Sequence, residues 1–223
     1  MLTKTFKPSP WDAALFGTPA YEILQVTPET LELASKTPGH YTVKIDPLAS
    51  KQLLNQYGFY YCDTLVEPHC SKEHFQAFSH TQVSVSRNPN IDALLEIAHG
   101  AFQHGRFHRD FQIANLLADQ RYDQWLTQLY QEGKVYGLLY ERQVTGFIAV
   151  NDNHLVLHAV SPNIRGQGLA KYLWMPICQR LFSSGHSEIT SSISMANLAA
   201  LNLYTSLGFR FRHAQDIYHR MTK

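Results

Sequence analysis

A chain of 223 residues with 19 basic and 18 acidic side chains, a formal net charge of +1, can hold one large domain or two small ones. It carries no run of Lys or Arg that would draw it to a nucleic acid or an anionic membrane surface. No stretch approaches the length that crosses a bilayer, the N-terminal MLTKTFKPSPWDAALFG lacks the apolar core of a secretory signal, and Cys62, Cys70 and Cys178 form no C-x-x-C pair; the expectation is a cytoplasmic protein with reduced thiols.

Taken in order, Trp11 to Gly17 reads as a short helical turn, and the weak alternation of AYEILQV (20–26) and YTVKI (41–45) as strands. ASKQLLNQYG, Ala49 to Gly58, reads as a helix stopped by glycine, followed by a strand in FYYCDTLVE, Phe59 to Glu67. The polar EPHCSKEHFQAFSHTQ holds His69, Cys70, His74 and His80, but the spacing fits no zinc pattern. It reads as a solvated linker, with no metal expected. Beyond it, VSVSR from Val83 is a strand, and Ile91 to Gln103 places apolar residues at 91, 94, 95, 98 and 102 on one helical face. A second helix covers 114–133. Three strands follow, VYGLLYE from 135, VTGFIAV from 144 and HLVLHAV from 154, with short polar turns that suit antiparallel neighbours.

The strand His154 to Val160 runs into a turn, Arg165 to Gly168, that opens a helix. That helix carries Leu169, Leu173, Ile177 and Leu181 on one stripe, with a kink expected at Pro176. Backbone N–H groups at such a turn lack intrahelical partners, and the helix dipole adds positive charge there, so the turn suits a phosphate. Gly166 and Gly168 let the backbone approach a bulky anion. Alone, the turn is equally well a plain connector. EITSSISM as a strand, a helix from Asn197 and a final pair of strands near 209–211 and 217–221 complete the chain.

Arg165-Gly-Gln-Gly168-Leu-Ala170 fits the pattern Q/R-x-x-G-x-G/A, and about thirty residues later comes Asn197-Leu-Ala-Ala-Leu-Asn-Leu-Tyr204-Thr-Ser-Leu-Gly208-Phe209. In this order the two resemble the signatures of the GNAT acetyltransferases. The resemblance implies an α/β (α+β) GNAT fold, a mixed, mostly antiparallel twisted sheet flanked by helices, over residues 83–223. It implies acetyl-CoA as donor and direct attack of a primary amine on the thioester. The strand at 154–160 should splay from that at 189–194, offering backbone donors near Ala159 or Val160 to the thioester oxygen. The pyrophosphate should rest on Arg165, Gly166, Gln167, Gly168, Leu169 and Ala170. Tyr204 is implied as the general acid for the leaving thiolate, against the plainer role of a half-buried helix tyrosine. Asn197 either caps its helix or touches the pantetheine arm.

Leu53-Leu54-Asn-Gln-Tyr-Gly58-Phe59 lines up with Leu203-Tyr204-Thr-Ser-Leu-Gly208-Phe209, with Leu54 in the place of Tyr204 and no glycine turn upstream. Helix-Gly-Phe-strand is a common run, yet residues 1–80 read as a degenerate half-GNAT-like unit on the acceptor side. A narrower resemblance rests on Trp11-Asp-Ala-Ala-Leu-Phe16-Gly17, Gly58-Phe59 and Ala101-Phe102-Gln-His-Gly-Arg106-Phe107-His-Arg-Asp, which look like the TDP-fucosamine acetyltransferases of bacterial polysaccharide synthesis. It implies an amine on a nucleotide-linked deoxysugar and a carboxylate assisting deprotonation through water. Asp63 falls at that place where the family has Glu, one methylene longer, with Glu67 as the fallback. Arg106 and Arg109 become candidates for the acceptor's phosphates. His104 and His108, four apart, are a base pair or do nothing, and His158 reads as a satisfied sheet histidine. Two other functions stay open, a protein or peptide amine acetyltransferase and a non-catalytic CoA-binding module; the oligomeric state is open too, a homodimer among the options.

Overall fold

The computed structural model describes residues 5–223; the first four, which open the N-terminal stretch and the 1–80 unit read above, lie outside the described residues. Two compact units form, and neither is one run of sequence. The first takes the chain up to Leu65 together with Gln103–Arg121 and Ala214–Lys223, and the second takes Val66–Phe102 and Tyr122–His213. A sequential division at 80/83 does not describe them, because two long strands and the stretch after residue 102 each pass from one unit to the other.

In the first unit the elements are β1 (Phe6–Pro8), α1 (Pro10–Phe16), β2 (Ala20–Ile23), α2 (Pro28–Lys36), β3 (Gly39–Ile45), α3 (Gln52–Gln56) and the start of β4 (Tyr60–Ser71). Helix α2 was not evident from apolar period, yet its start has a chemical cause. The Thr27 hydroxyl accepts from Thr30 N–H, the Thr27 N–H donates to Thr30 Oγ1, and Pro28 occupies the first turn, a reciprocal cap that satisfies otherwise orphaned donors. Its Leu31 and Ala34 pack with Phe6, Ile23, Tyr41, Val43, Leu54, Phe59 and Tyr218 into this unit's core. β1 and β2 are antiparallel, β2 and β3 parallel. β3 pairs antiparallel with β11 (Arg210–Thr222) from Asp216↔Ile45 to Thr222↔Gly39, and β4 is the next neighbour.

The second unit holds β5 (Val83–Ser86), α4 (Ile91–Ala98), β6 (Val135–Tyr140), β7 (Gln143–Asn151), β8 (His154–Val160), α6 (Ala170–Ser183), β9 (Glu188–Ser191), β10 (Ile193–Ser194) and α7 (Leu198–Ser206), while α5 (Asn115–Gln131) runs into it. Its strand order is β4-β9-β8-β7-β6-β5, with β10 on β4. Alternation makes β7 a two-faced strand. Ile148 and Val150 join a core with α6 and α7, and Phe147 and Ala149 join a core with α4 and α5. This is the mixed sheet flanked by helices that the signatures implied.

Several expectations are corrected in detail. The segment read as a linker begins as strand, since β4 continues to Ser71 and pairs His69 with Thr190 and Cys70 with Ile189. The chain's end is one long strand, β11, with His213 at φ +53°; its polar run RHAQD hides the alternation. α4 stops at Ala98, just before Gly100 at φ +70°. Pro176 lies inside α6, which stays one helix.

The two helix-Gly-Phe runs close alike. After α3, Phe59 N–H donates to Leu54 O and Gly58 N–H to Asn55 O, both at 3.0 Å; after α7, Phe209 N–H donates to Tyr204 O and Gly208 N–H to Thr205 O, also at 3.0 Å. Gly58 and Gly208 have φ of +71° and +88°, a conformation that costs any other residue its Cβ clearance.

Candidate active site

The glycine turn starts where β8 ends. A short 3₁₀ turn at Pro162–Ile164 leads to Arg165, whose Nε donates to Val160 O at 3.1 Å, and Gln167 Nε2 donates to Asn163 O at 2.7 Å. These two side chains shape the loop from inside and leave its outer face exposed. Gly166 and Gly168 have φ of +77° and +71°, and a Cβ at either would meet nothing within 4 Å. Among the described residues the N–H groups from Gly166 to Ala170 find no acceptor, and Leu169 gives the helix no side-chain cap. A row of unsatisfied donors at the positive end of a fourteen-residue helix, facing open space, fits a diphosphate.

β8 and β9 pair in parallel at only His154↔Thr190 and Leu155↔Ser191. Past Leu155, β8 is held by β7 alone, through pairs that reach Gly146↔Val160, so the splay expected from the sequence is present. Ser161 N–H donates to Thr145 O at 2.8 Å on the β7 side. Alternation along an extended chain then turns the Val160 N–H toward the open edge, which favours Val160 over Ala159 as the donor there.

Helix α7 brings Tyr204 to this region of the unit. Asn197 is its N-cap, Oδ1 accepting from Ala200 N–H at 3.0 Å, so the capping role read for Asn197 is the one seen. Tyr204 is wholly buried. Its hydroxyl lies 2.8 Å from Nε2 of His158 on β8, and its ring meets Phe209 edge-on at 4.9 Å. Burial pushes the phenol well above its ordinary range, with Ser191 and Trp174 acting the other way. Burial, with His154 adding to it, pushes the His158 imidazole down to about 4, so this histidine is uncharged at neutral pH.

The acceptor-side candidates fall in the first unit. Asp63 Oδ1 accepts from Arg109 Nη1 at 2.7 Å and from Thr64 N–H at 2.9 Å, and its side chain is fully buried while that of Arg109 is one-third exposed, at 33%. The Arg109 guanidinium also lies 5.6 Å from the Tyr61 ring, and that of Arg106 stacks 4.7 Å from Phe107. The structure therefore unites Asp63 with Arg109. The glycine turn and Tyr204 belong to the second unit, as does Glu67. Burial pushes Glu67 up, but Arg212, 2.7 Å away, and His213 draw it below the usual carboxylate range. His108 pairs with Asp119 at 2.7 Å and forms no base pair with His104 among the described residues.

Sequence reasoning missed one group. Asp110 accepts from Tyr60 Oη at 2.9 Å, from the Gln112 N–H at 2.9 Å and from His219 Nδ1 at 2.8 Å, with His40 Nε2 at 3.5 Å. Its three side chains with ligand character, His40, Asp110 and His219, lie within 4.8 Å of one another. The carboxylate's contacts are those of a hydrogen-bonded anchor that ties the 103–114 stretch to β3, β4 and β11. No linear spacing could have shown it.

A sheet split at a parallel pair, with an open N–H row at the following helix, is the framework of an acyltransferase that holds a coenzyme A thioester. A model of the acetyltransferase (GNAT) family matches residues 91–209, more than half of the chain, and the chain belongs to that family. The Bacillus subtilis (strain 168) spore coat polysaccharide biosynthesis protein SpsD is 21% identical over 136 residues, which is 58% of this chain and 47% of SpsD; the chain thus spans about half the length of that relative. The GCN5-related N-acetyltransferase from Sphaerobacter thermophilus aligns with a TM-score of 0.60 at 12% identity, over 86% of this chain and 63% of that one. A tandem GNAT protein from the clavulanic acid biosynthesis pathway aligns at 0.55 and 11%, over 92% and 76%. These structural likenesses show the fold. No helix among the described residues is long and apolar enough to cross a membrane.

Proposed function

We propose that this enzyme moves the acetyl group of acetyl-CoA to the amino group of a nucleotide-linked amino sugar. The observation that carries the donor half is the unpartnered N–H row from Gly166 to Ala170 beside the free edge of β8. The acceptor half is supported by Arg106 and Arg109 among aromatic rings in the first unit, where cationic forks suit phosphate oxygens, and by the name of SpsD, which places that relative in polysaccharide biosynthesis.

In this reading the turn holds the diphosphate, and the Val160 N–H, with Ala159 beside it, steadies the oxyanion. The amine forms a C–N bond to the thioester carbon, the tetrahedral centre collapses, and the C–S bond breaks. Tyr204 gives its phenol proton to the leaving sulfur, and the proton shed by the acylated nitrogen restores the phenol. Asp63 acts through Arg109: a wholly buried carboxylate whose Oδ1 already serves a guanidinium and a backbone N–H orients that guanidinium toward the acceptor's anionic part. The part of the 1–80 stretch that lies in the first unit, up to Leu65, serves the acceptor side as a degenerate half-copy without binding a donor of its own.

A thiol-release screen of amino-sugar nucleotides against amine-bearing peptides tests the proposal. Turnover of the nucleotide sugars is the expected result; turnover confined to peptides would make the enzyme a protein acetyltransferase. Tight acetyl-CoA binding with no acceptor turned over would make it a CoA-binding module.

A further inference from the structure

Tyr204, the acid of the proposed reaction, has no exposed surface. Its hydroxyl lies at hydrogen-bond distance from His158 Nε2, 2.8 Å, with Ser191 and Trp174 also acting on it. Of the pair, His158 alone has surface exposure. It sits on β8 three residues beyond Leu155, the last residue that pairs with β9, and so on the stretch whose edge is free. Trp174 meets its ring edge-on at 5.2 Å, and Tyr204 meets it at 5.7 Å, which fixes the imidazole plane.

We infer that His158 is the positioning residue of the acid: its Nε2 holds the Tyr204 hydroxyl at the free edge of β8, where the leaving sulfur is protonated. This rests on Tyr204 being the acid. With the ring proton on Nε2, the imidazole donates to the phenol oxygen and leaves the phenol O–H free to turn to sulfur. When the C–S bond breaks, the thiolate takes that proton, the S–H bond forms, and the tyrosinate oxygen keeps the imidazole N–H. A neutral ring does this without becoming an acid itself, and burial keeps this one neutral. A buried tyrosinate would otherwise have to form against the burial that raises its phenol.

Two measurements test it. In the free protein, ¹⁵N NMR of the His158 ring should show a neutral imidazole whose Nε2 resonance moves on Tyr204→Phe; an unmoved resonance would show that the two side chains are not bonded in solution. In thiol-release kinetics over the acceptor panel, His158→Phe should lower kcat by about tenfold to a hundredfold, part of the roughly 10²–10⁴-fold that general acid catalysis supplies, with the KM for acetyl-CoA within about twofold. His158→Gln, whose amide reaches the same atom position, should recover most of that loss. The Tyr204→Phe/His158→Phe double variant should be no slower than Tyr204→Phe, since both act through one hydroxyl. If His158→Phe does not fold, His158→Asn, whose amide stops short of the hydroxyl, replaces it in each comparison. Losses that multiply in the double variant, or an active His158→Phe beside an impaired Tyr204→Phe, overturn the inference and leave Tyr204 as the acid. A fully active Tyr204→Phe, or a wild-type enzyme that turns over nothing in the panel, removes the reading underneath and this inference with it.

Discussion

Asp63 and Arg109 are joined by a 2.7 Å bond from Nη1 to Oδ1, the carboxylate fully buried and the guanidinium one-third exposed. Residues 46 positions apart in the chain, one read as a base and the other as a phosphate ligand, thus form a single unit. A buried carboxylate deprived of its cation is costly, whereas loss of both charges together is far milder.

Arg109→Ala should therefore destabilise the fold by about 3 kcal/mol, and Asp63→Asn/Arg109→Ala by clearly less than Arg109→Ala. Urea denaturation monitored by circular dichroism reads both. An additive double variant would show that the pair is not coupled.

The same pair decides how Asp63 contributes to turnover. A direct base would make Asp63→Asn fail more at low pH, where the amine is protonated. Acting through Arg109, the substitution should lower turnover by a similar factor at pH 6.5 and pH 9 and raise the acceptor KM. Steady-state kinetics across that range separates the two roles, and a loss confined to low pH would restore Asp63 as the base.

What the sequence made legible is what local chemistry decides. The glycine turn, the cap at Asn197 and the Gly208-Phe209 stop each depend on a few adjacent residues, and the alternation of β6, β7 and β8 is intact in the linear pattern. The Asp110 anchor drew side chains from β3, β4, β11 and a loop, with His219 lying 109 positions from Asp110, and it left no local trace. The bond from His158 to Tyr204 spans 46 positions; alternation gave the strand residue its place but not its partner. α2 was overlooked because its signal lies in Thr27-Pro28-Glu29-Thr30 at its start and not in the apolar period. The compact units escaped a sequential reading because β4 and β11 serve both.

At the glycine turn, the open space around Gly168 means that a side chain there is resisted by backbone conformation and not by crowding. Gly168→Ala should cost about 1 kcal/mol of local strain and weaken acetyl-CoA modestly. Gly168→Glu places a carboxylate against the N–H row meant for a diphosphate and should weaken acetyl-CoA at least about a hundredfold by calorimetry, while the circular dichroism spectrum stays unchanged. Equal affinities for the two variants would mean that no anion sits at this turn.

Acid should destabilise the protein through His158 and the buried His219 before its carboxylates titrate. Burial pushes His158 and His219 down to about 4 from an ordinary 6.5, with Asp110 partly opposing the effect at His219. The folded state then binds fewer protons than the unfolded chain between those values. The stability they provide is whole above pH 6.5 and is lost as pH falls toward 4, at up to about 1.4 kcal/mol per pH unit for each group. Asp110, which burial raises but whose bonds from His219 and His40 hold it below the usual carboxylate range, adds its own loss only as pH falls below about 4. Urea midpoints at pH 7.5, 5.5 and 4.5 should fall steeply in the wild type and more gently in His158→Gln, which has one such histidine fewer. A wild-type midpoint flat from pH 7.5 to 4.5 would mean that these rings protonate in place and are not held neutral by the fold.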